Sequence, residues 1–340
     1  MSKIKHCYFY DTKTSVYFRQ SASICAFSGD SSWVILSEIE QRIKAKIEAV
    51  GTPLRDWNIN IYRGILTGYN EAFIIDKNKR DELIEEDPKS AEIIRPLLRG
   101  RDIKRYSYEF ADLYLLFIPW HFPLHKDPSI TGASQQAEEA FENQYPAVYR
   151  HLLKFKSELS NRNKSETGVR YEWYALQRWG ANYWEDFFRQ KIVYPDIMRM
   201  PRDKTLLREY PYFHLDNDNF FIEATNFMIT GEDIDLIFLF LTSNLGFFAF
   251  SKFYTGPQFD STGFRYKKAY LDETFVPKPN DVAASLLRNK MEHLSHEDME
   301  DSLNDLWSDI VGLTIEERHF VNVYKENLLT STFNEFDFLD

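Results

Sequence analysis

The side chains able to do chemistry are spaced in ways that remove most catalytic classes. His121 and His125 stand four apart, but Pro123 lies between them and breaks the helical face that would aim both at one metal. His293 and His296 lie in an acidic stretch and read as solvated. Cys7 and Cys25 are the only cysteines; they exclude a disulfide scaffold and a CxxC zinc site, fit a reducing cytoplasm, and neither stands at an obvious helix N-terminus that would activate a thiolate. No GxxxxGK[ST], GxGxxG, HExxH or GxSxG occurs. Pro195-Asp196 matches the start of a PD-D/ExK nuclease site, but no D/E-x-K follows it, so Asp196 reads as a strand-end residue. Glu85-Glu86 and Glu138-Glu139 read as solvated helix faces. What remains is a set of cations among aromatic rings. Arg95, Arg99, Arg101, Lys104 and Arg105 surround a glycine-containing turn. In 150–208, 13 Lys and Arg against 7 Asp and Glu interleave with Tyr171, Trp173, Tyr174, Trp179 and Trp184. Such groups neutralise phosphates and read base edges.

The elements that must carry these residues are partly legible. Ser37 and Glu40 form a capping box, Ile39, Ile43, Ile47 and Val50 make one stripe, and Gly51 with Pro53 ends that helix. Residues 1–30 read as a strand pair or a linker. Asn58–Leu66 and Ala72–Asp76 read as strands about the turn Thr67-Gly68-Tyr69-Asn70, where Gly68 suits a positive φ. Asp87-Pro88 opens a short helix, and Tyr114–Ile118 is a buried strand. Residues 120–134 form a loop, 135–160 are helical with a break at Pro146, and 161–170 are a polar, flexible loop. Lys191–Met198 and Phe220–Thr230 read as strands, and Ile234–Phe253 as one buried helix. Thr255–Lys268 is a loop, and 281–330 is amphipathic helix. The expected class is α+β: a mixed sheet flanked by an N-terminal helix and a C-terminal helical tail. The expected divisions are 1–57, an N-terminal linker and docking helix; 58–279, the recognition body; and 280–340, an acidic tail.

The chain has 340 residues and a net charge of −11. That charge is segregated. Residues 281–340 carry 14 acidic and 4 basic groups, a net of −10, and the remaining residues carry 38 acidic and 37 basic, a net of −1. The body is neutral with basic segments, so the global charge says little about what it binds. No apolar run approaches the roughly 20 residues of a membrane span, and the N-terminus lacks the apolar stretch of a signal peptide. A cytoplasmic protein with no membrane partner is expected.

Several segments in order carry a resemblance. Ile61-Tyr62-Arg63-Gly64-Ile65-Leu66-Thr67-Gly68-Tyr69-Asn70-Glu71-Ala72-Phe73-Ile74-Ile75 resembles the opening of the TaqI-like C-terminal specificity domain of type IIG restriction-modification enzymes and related adenine-N6 DNA methyltransferases. Ile93 to Tyr106 is similar to that family's xLLRGRDIxRY element. Lys191-Ile192-Val193-Tyr194-Pro195 and Thr225 to Gly231 follow in order. Leu241-Thr242-Ser243-Asn244 is similar to its LLNSK helix, with Thr242 in place of the Asn and Leu245 in place of the basic residue. Gly263 to Lys268, Phe275-Val276-Pro277 and the YGLTxEE-like Leu306 to Glu317 complete a resemblance covering about 30–320.

The resemblance implies target recognition on double-stranded DNA for a catalytic partner, an adenine-N6 methyltransferase domain or subunit. The methylase motif [N/D]PP[Y/F] is missing, because the chain contains no Pro-Pro, and no FxGxG-type loop for S-adenosylmethionine occurs. The chain therefore reads as the specificity part. No cofactor is expected in it; S-adenosylmethionine and magnesium are expected on the catalytic domains. The candidate phosphate contacts are Arg99, Arg101, Lys104, Arg105, Lys154 and Lys156. The candidate base readers are Arg162, Asn163, Lys164, Arg170, Arg199, Arg202 and Lys204, and Arg265, Lys267 and Lys268 suit either task. The apolar stripes of the Ser37–Val50 helix and of the tail (Leu303, Leu306, Ile310, Leu313) are expected to pack together and dock the methyltransferase, unless this chain's own core covers them.

Overall fold

The computed structural model describes residues 36–256, 263–293 and 295–334. The strand pair or linker expected over 1–30, with both cysteines, lies outside the described residues. Helix α1 (Glu38–Val50) starts as its capping box dictates: Ser37 N–H donates to the Glu40 carboxylate at 2.6 Å, and Glu40 N–H to Ser37 Oγ at 3.5 Å. Strands β1 (Gly51–Pro53) and β2 (Ile59–Arg63) follow. The expected strand from Ala72 is instead a short helix α2 (Asn70–Phe73) running into β3 (Ile74–Asp76), because Thr67 and Asn70 close a side-chain hydrogen bond across the positive-φ Gly68. Then come α3 (Lys77–Glu86), β4 (Ile94–Leu98), β5 (Leu113–Leu116), α4 (Gln135–Gln144), α5 (Pro146–Leu153) and α6 (Lys156–Asn161), with Pro146 at the start of α5. The second half holds β6 (Lys191–Pro195), β7 (Ile197–Arg199), β8 (His214–Asp216), β9 (Phe221–Ile222) and β10 (Asn226–Gly231).

Two four-stranded sheets result. The first runs β2-β10-β6-β8 and is antiparallel; the second runs β3-β5-β4-β9, with β4 and β9 parallel. The first sheet separates two apolar clusters. Ile61, Ile192, Tyr194 and Ile229 face one, and Val193 and Met228 face the other. The period-2 alternation of strand side chains makes β6 buried on both faces. Lys191 and Asp216 join β6 to β8 by an ion pair with no solvent exposure on either side. Lys191 Nζ also donates to the Phe187 carbonyl at 2.7 Å, and Asp216 accepts from the N–H groups of Asp218 and Phe220 at 2.8 and 3.0 Å. Such a pair holds only because its remaining valences are filled.

The apolar segment 234–253 is not one helix. It divides into α7 (Ile234–Thr242) and α8 (Asn244–Ala249), the latter continuing as a π turn to Tyr254, and the two directions differ by 76°. Ser243 makes the break: its Oγ accepts from Gly246 N–H at 2.9 Å and so caps α8. Among the described residues no single helix is long and apolar enough to cross a membrane, and the bent pair is buried in the core. Strand β11 (Gly263–Arg265) pairs with β7, a short helix α9 (Lys268–Leu271) follows, and β12 (Phe275–Pro277) pairs with β1.

Helices α10 (Asp281–His293), α11 (His296–Val311), α12 (Ile315–Asn322) and α13 (Tyr324–Asn334) close over α7 and α8. Leu287, Leu303, Trp307, Leu313, Val321 and Leu329 are buried in the same cluster as Ile43 and Ile47. Trp307 Nε1 donates to the Leu239 carbonyl at 3.2 Å. Lys46 pairs with Glu317 at 2.6 Å, and Arg42 reaches Glu316 and Glu317. The first helix and the tail do pack together, but their stripes are covered by this chain's own core. Of the two coverings the sequence left open, a partner or this chain's own core, the core is the one seen on these stripes.

Candidate nucleic-acid interface

The turn after β4 is built around one carboxylate. Asp102, 4% exposed, accepts from the Arg99 backbone N–H at 2.9 Å and from both sides of the Arg99 guanidinium at 2.9 and 2.8 Å. That hydrogen bonding raises the Arg99 pKa and fixes the fork in one orientation. Gly100 is required by closeness: a Cβ there would lie 2.8 Å from Asn226 Oδ1 and 3.3 Å from Pro195 Cβ. The turn thus lies against the ends of β6 and β10, leaving Arg101 exposed.

An open cleft of about 710 Å³ forms there. Arg63 at the end of β2, Arg99 and Arg101 on the turn, and Arg199 on β7 line it, together with Asp196, Glu223, Tyr212 and Asn226. Four guanidiniums face two carboxylates. Arg63 donates through Nε to the Ala224 carbonyl and lies 5.7 Å from the Phe227 ring centroid, so its fork is braced. Asn226 is fully buried, with neither atom of its amide hydrogen-bonded, and Asp196 Oδ1 is buried and unpaired as well. Asp196 directly follows β6, the strand-end position expected of it.

The other candidates go elsewhere. Arg105 is 5% exposed: its guanidinium donates to the carbonyls of Arg208 (2.6 Å) and Thr242, pairs with Glu300 at 3.0 Å, and lies over the Tyr106 ring. It is a core cation, which corrects its reading as a phosphate contact. Arg162 donates to the carbonyls of Thr67, Trp173 and Ala175 and lies between the Phe73 and Tyr171 rings; burial pulls its pKa down to about 10. It ties α6 to the turn at Gly68, which corrects its reading as a base reader. The segment 161–170 is not an open loop either. Asn163 Nδ2 donates to Glu166 at 2.8 Å, and Gly168 N–H donates to the Tyr171 carbonyl at 2.8 Å.

Lys104 pairs with Glu109 at 3.3 Å, Arg170 with Glu166 at 3.4 Å, and Lys268 with Asp272 at 2.8 Å. Lys156 lies over the Trp173 ring and 3.5 Å from Glu138. Exposed pairs of this kind are weak. Lys204 donates to Thr330 on α13 at 3.1 Å and so faces the C-terminal layer. Lys154, Lys164, Arg202 and Lys267 are exposed, and none lines the cleft. Arg265 is half-buried on β11, opposite Ile197 of β7 and two positions from the Gly263–Arg199 pairing. Of the sixteen candidates, the cleft gathers Arg99, Arg101 and Arg199.

No local sequence pattern marks Arg63 or Asn226 as a site residue. The available signal was position: Arg63 ends a strand of alternating pattern, opposite Phe227. Beside it Tyr62 and Tyr183 stack at 4.3 Å and 5°, within the fields of Arg63, Arg178 and Arg189. His121 is satisfied by Glu172 at 3.0 Å, and among the described residues no group of three or more His, Cys, Asp or Glu is arranged to hold a metal.

No protein-family model matches the chain. A curated relative, the type II methyltransferase M.MjaIV of Methanocaldococcus jannaschii, is 25% identical over 185 residues, which is 54% of this chain and 54% of the relative. The match therefore spans about half the relative's length. The fold is similar to that of the type IIG restriction endonuclease BpuSI, with a TM-score of 0.53, 14% identity, and coverage of 87% of this chain and 33% of that one. It is also similar to the type IIL restriction-modification enzyme MmeI, solved in complex with DNA, with a TM-score of 0.51, 12% identity, and coverage of 83% and 37%. The α+β class expected from sequence is the observed one, and this fold recurs as about a third of each larger enzyme.

Proposed function

We propose that this chain is the DNA-recognition part of a type II, IIG-like restriction-modification system. In this reading it holds duplex DNA in register for adenine-N6 methylation, cleavage or both by a catalytic domain or subunit. The arginine cleft carries the reading: Arg63, Arg99, Arg101 and Arg199 converge from three separate segments on one open groove of a chain whose overall charge is negative. Asp102 holds Arg99, and Asp196 and Glu223 line the cleft, so four guanidiniums beside three carboxylates leave a groove with an excess of positive charge, which suits an anion. The curated relative's name and the two structural likenesses support the same system, and so does the TaqI-like order of segments.

In such a division of labour the guanidiniums release counterions from phosphates and fix the register. Arg is also the usual bidentate reader of guanine. The partner would extrude the adenine. S-adenosylmethionine and magnesium belong to the partner in this reading.

The test is duplex binding by the full chain as a function of salt. Binding that weakens steeply with salt, with a slope reduced by about 0.9 for each phosphate contact removed, is expected for wild type against Arg63→Ala/Arg101→Ala. Absence of binding to any duplex at low salt would favour a protein-interaction module that docks the methyltransferase and has little DNA affinity of its own, a role to which the acidic C-terminal layer is suited.

A further inference from the structure

A second, smaller pocket lies under the C-terminal helices, away from the arginine cleft. It encloses about 380 Å³ between the turn holding Leu207 and Arg208, the start of α8, and helices α11, α12 and α13. Three asparagines line it, Asn244 and Asn304 buried and Asn322 exposed. The Asn244 backbone N–H donates to Asn304 Oδ1 at 2.8 Å, and Asn244 Nδ2 donates to Asn322 Oδ1 at 3.4 Å. Asn244 is 8% exposed, and its own Oδ1 is buried with no hydrogen-bond partner. A buried, unpaired amide oxygen is costly and needs a donor. Glu300, deeper in the pocket, is already held by Arg105 at 3.0 Å and Lys325 at 3.2 Å. At the rim stand Asp301 and Asp305, one turn apart on α11 and both exposed, with Glu326 on α13.

The geometry points to a docking pocket for an arginine side chain of the catalytic partner, a deepening that rests on the proposed division of labour. A guanidinium carries five donors and no acceptor, so one fork satisfies Asn244 Oδ1 while meeting the rim carboxylates. The charge pattern names a protein rather than DNA: residues 281–340 carry a net of −10, which repels phosphate and attracts a basic protein surface.

The full chain, labelled with nitrogen-15 at asparagine, is titrated with N-acetyl-arginine amide, with N-acetyl-citrulline amide (same shape, no charge) and with spermidine. Saturable shifts of the Asn244 side-chain amide signals with the arginine probe are expected. Affinity at least tenfold weaker for the citrulline probe, and at least fivefold weaker for Asp301→Asn/Asp305→Asn, is also expected; both substituted residues are exposed, and the variant's unfolding midpoint checks its fold. No shift, equal binding of the citrulline probe, an unchanged double variant, or tighter binding of spermidine would each overturn the proposal, the last by assigning the pocket to a free polyamine. Duplex binding of the double variant is measured in parallel. Failure of the wild type to bind DNA speaks against the recognition role, whereas the probe titration speaks only to the pocket.

Discussion

Arg101 and Arg105 are four positions apart in one basic run, yet they belong to opposite kinds of site. Arg101 stands exposed on the rim of an open cleft with Arg63, Arg99 and Arg199. Arg105 is buried between Glu300, two backbone carbonyls and the Tyr106 ring. The same contrast separates the exposed Lys154 and Lys164 from Lys191, Arg162 and Lys325, whose donors are spent on Asp216, on backbone carbonyls and on Glu300. A cation's role here is decided by what packs over it. Buried cations fix the fold, and open ones keep a face toward solvent where a ligand can meet them. The two classes should therefore respond to substitution in opposite ways.

The largest effect is expected at the most buried pair. Asp216→Asn strands the Lys191 ammonium in a site without solvent and should cost about 3–5 kcal/mol in urea unfolding. Glu300→Gln comes next. Burial would raise the Glu300 pKa, but Arg105 and Lys325 hold it below the usual range, so its carboxylate is charged where two cations need it. Its loss should cost about 3 kcal/mol. The same network gives a pH signature. Burial, with the like charge of Arg105, lowers the Lys325 ammonium from 10.5 to about 8. Between those values the unfolded chain binds a proton that the folded chain has released. The Lys325 contribution to stability should therefore rise with pH across that window, and Lys325→Met should flatten the rise in unfolding midpoints. Arg162→Met, which leaves three carbonyls without their shared donor, should cost about 2 kcal/mol. Arg101→Ala sits at the other end: stability within about 0.5 kcal/mol of wild type, and a shallower salt dependence of duplex binding. A large loss of stability at Arg101, or none at Glu300, would dissolve the distinction between the two classes.

Local signals were readable in advance. The Ser37–Glu40 box and Gly51 bound α1 because capping needs only neighbours in sequence. Charge and turn context mark Arg99, Arg101 and Arg199 in the sequence. What could not be read depends on distant partners. Arg105 is a core cation only because α11 brings Glu300 over it, nearly two hundred positions later. Arg63 joins the cleft because β2 pairs with β10, a pairing that no local pattern encodes. The break at Ser243 did carry a local signal, a capping serine three residues before Gly246, but the uniformly apolar flanks masked it. The tail's stripes asked for a covering surface, and sequence alone left open whether that surface was a partner or α7 and α8.

The proposed role of the arginine cleft is to meet DNA. Its most direct test is the salt dependence of duplex binding for wild type, Arg63→Ala/Arg101→Ala and Lys154→Ala/Lys164→Ala, all with matched unfolding midpoints. Log affinity should fall linearly with log salt, with a slope shallower by about 1.8 for the cleft variant and unchanged for the variant away from it. Equal slopes for wild type and the cleft variant, or a loss confined to the Lys154 and Lys164 variant, would contradict it.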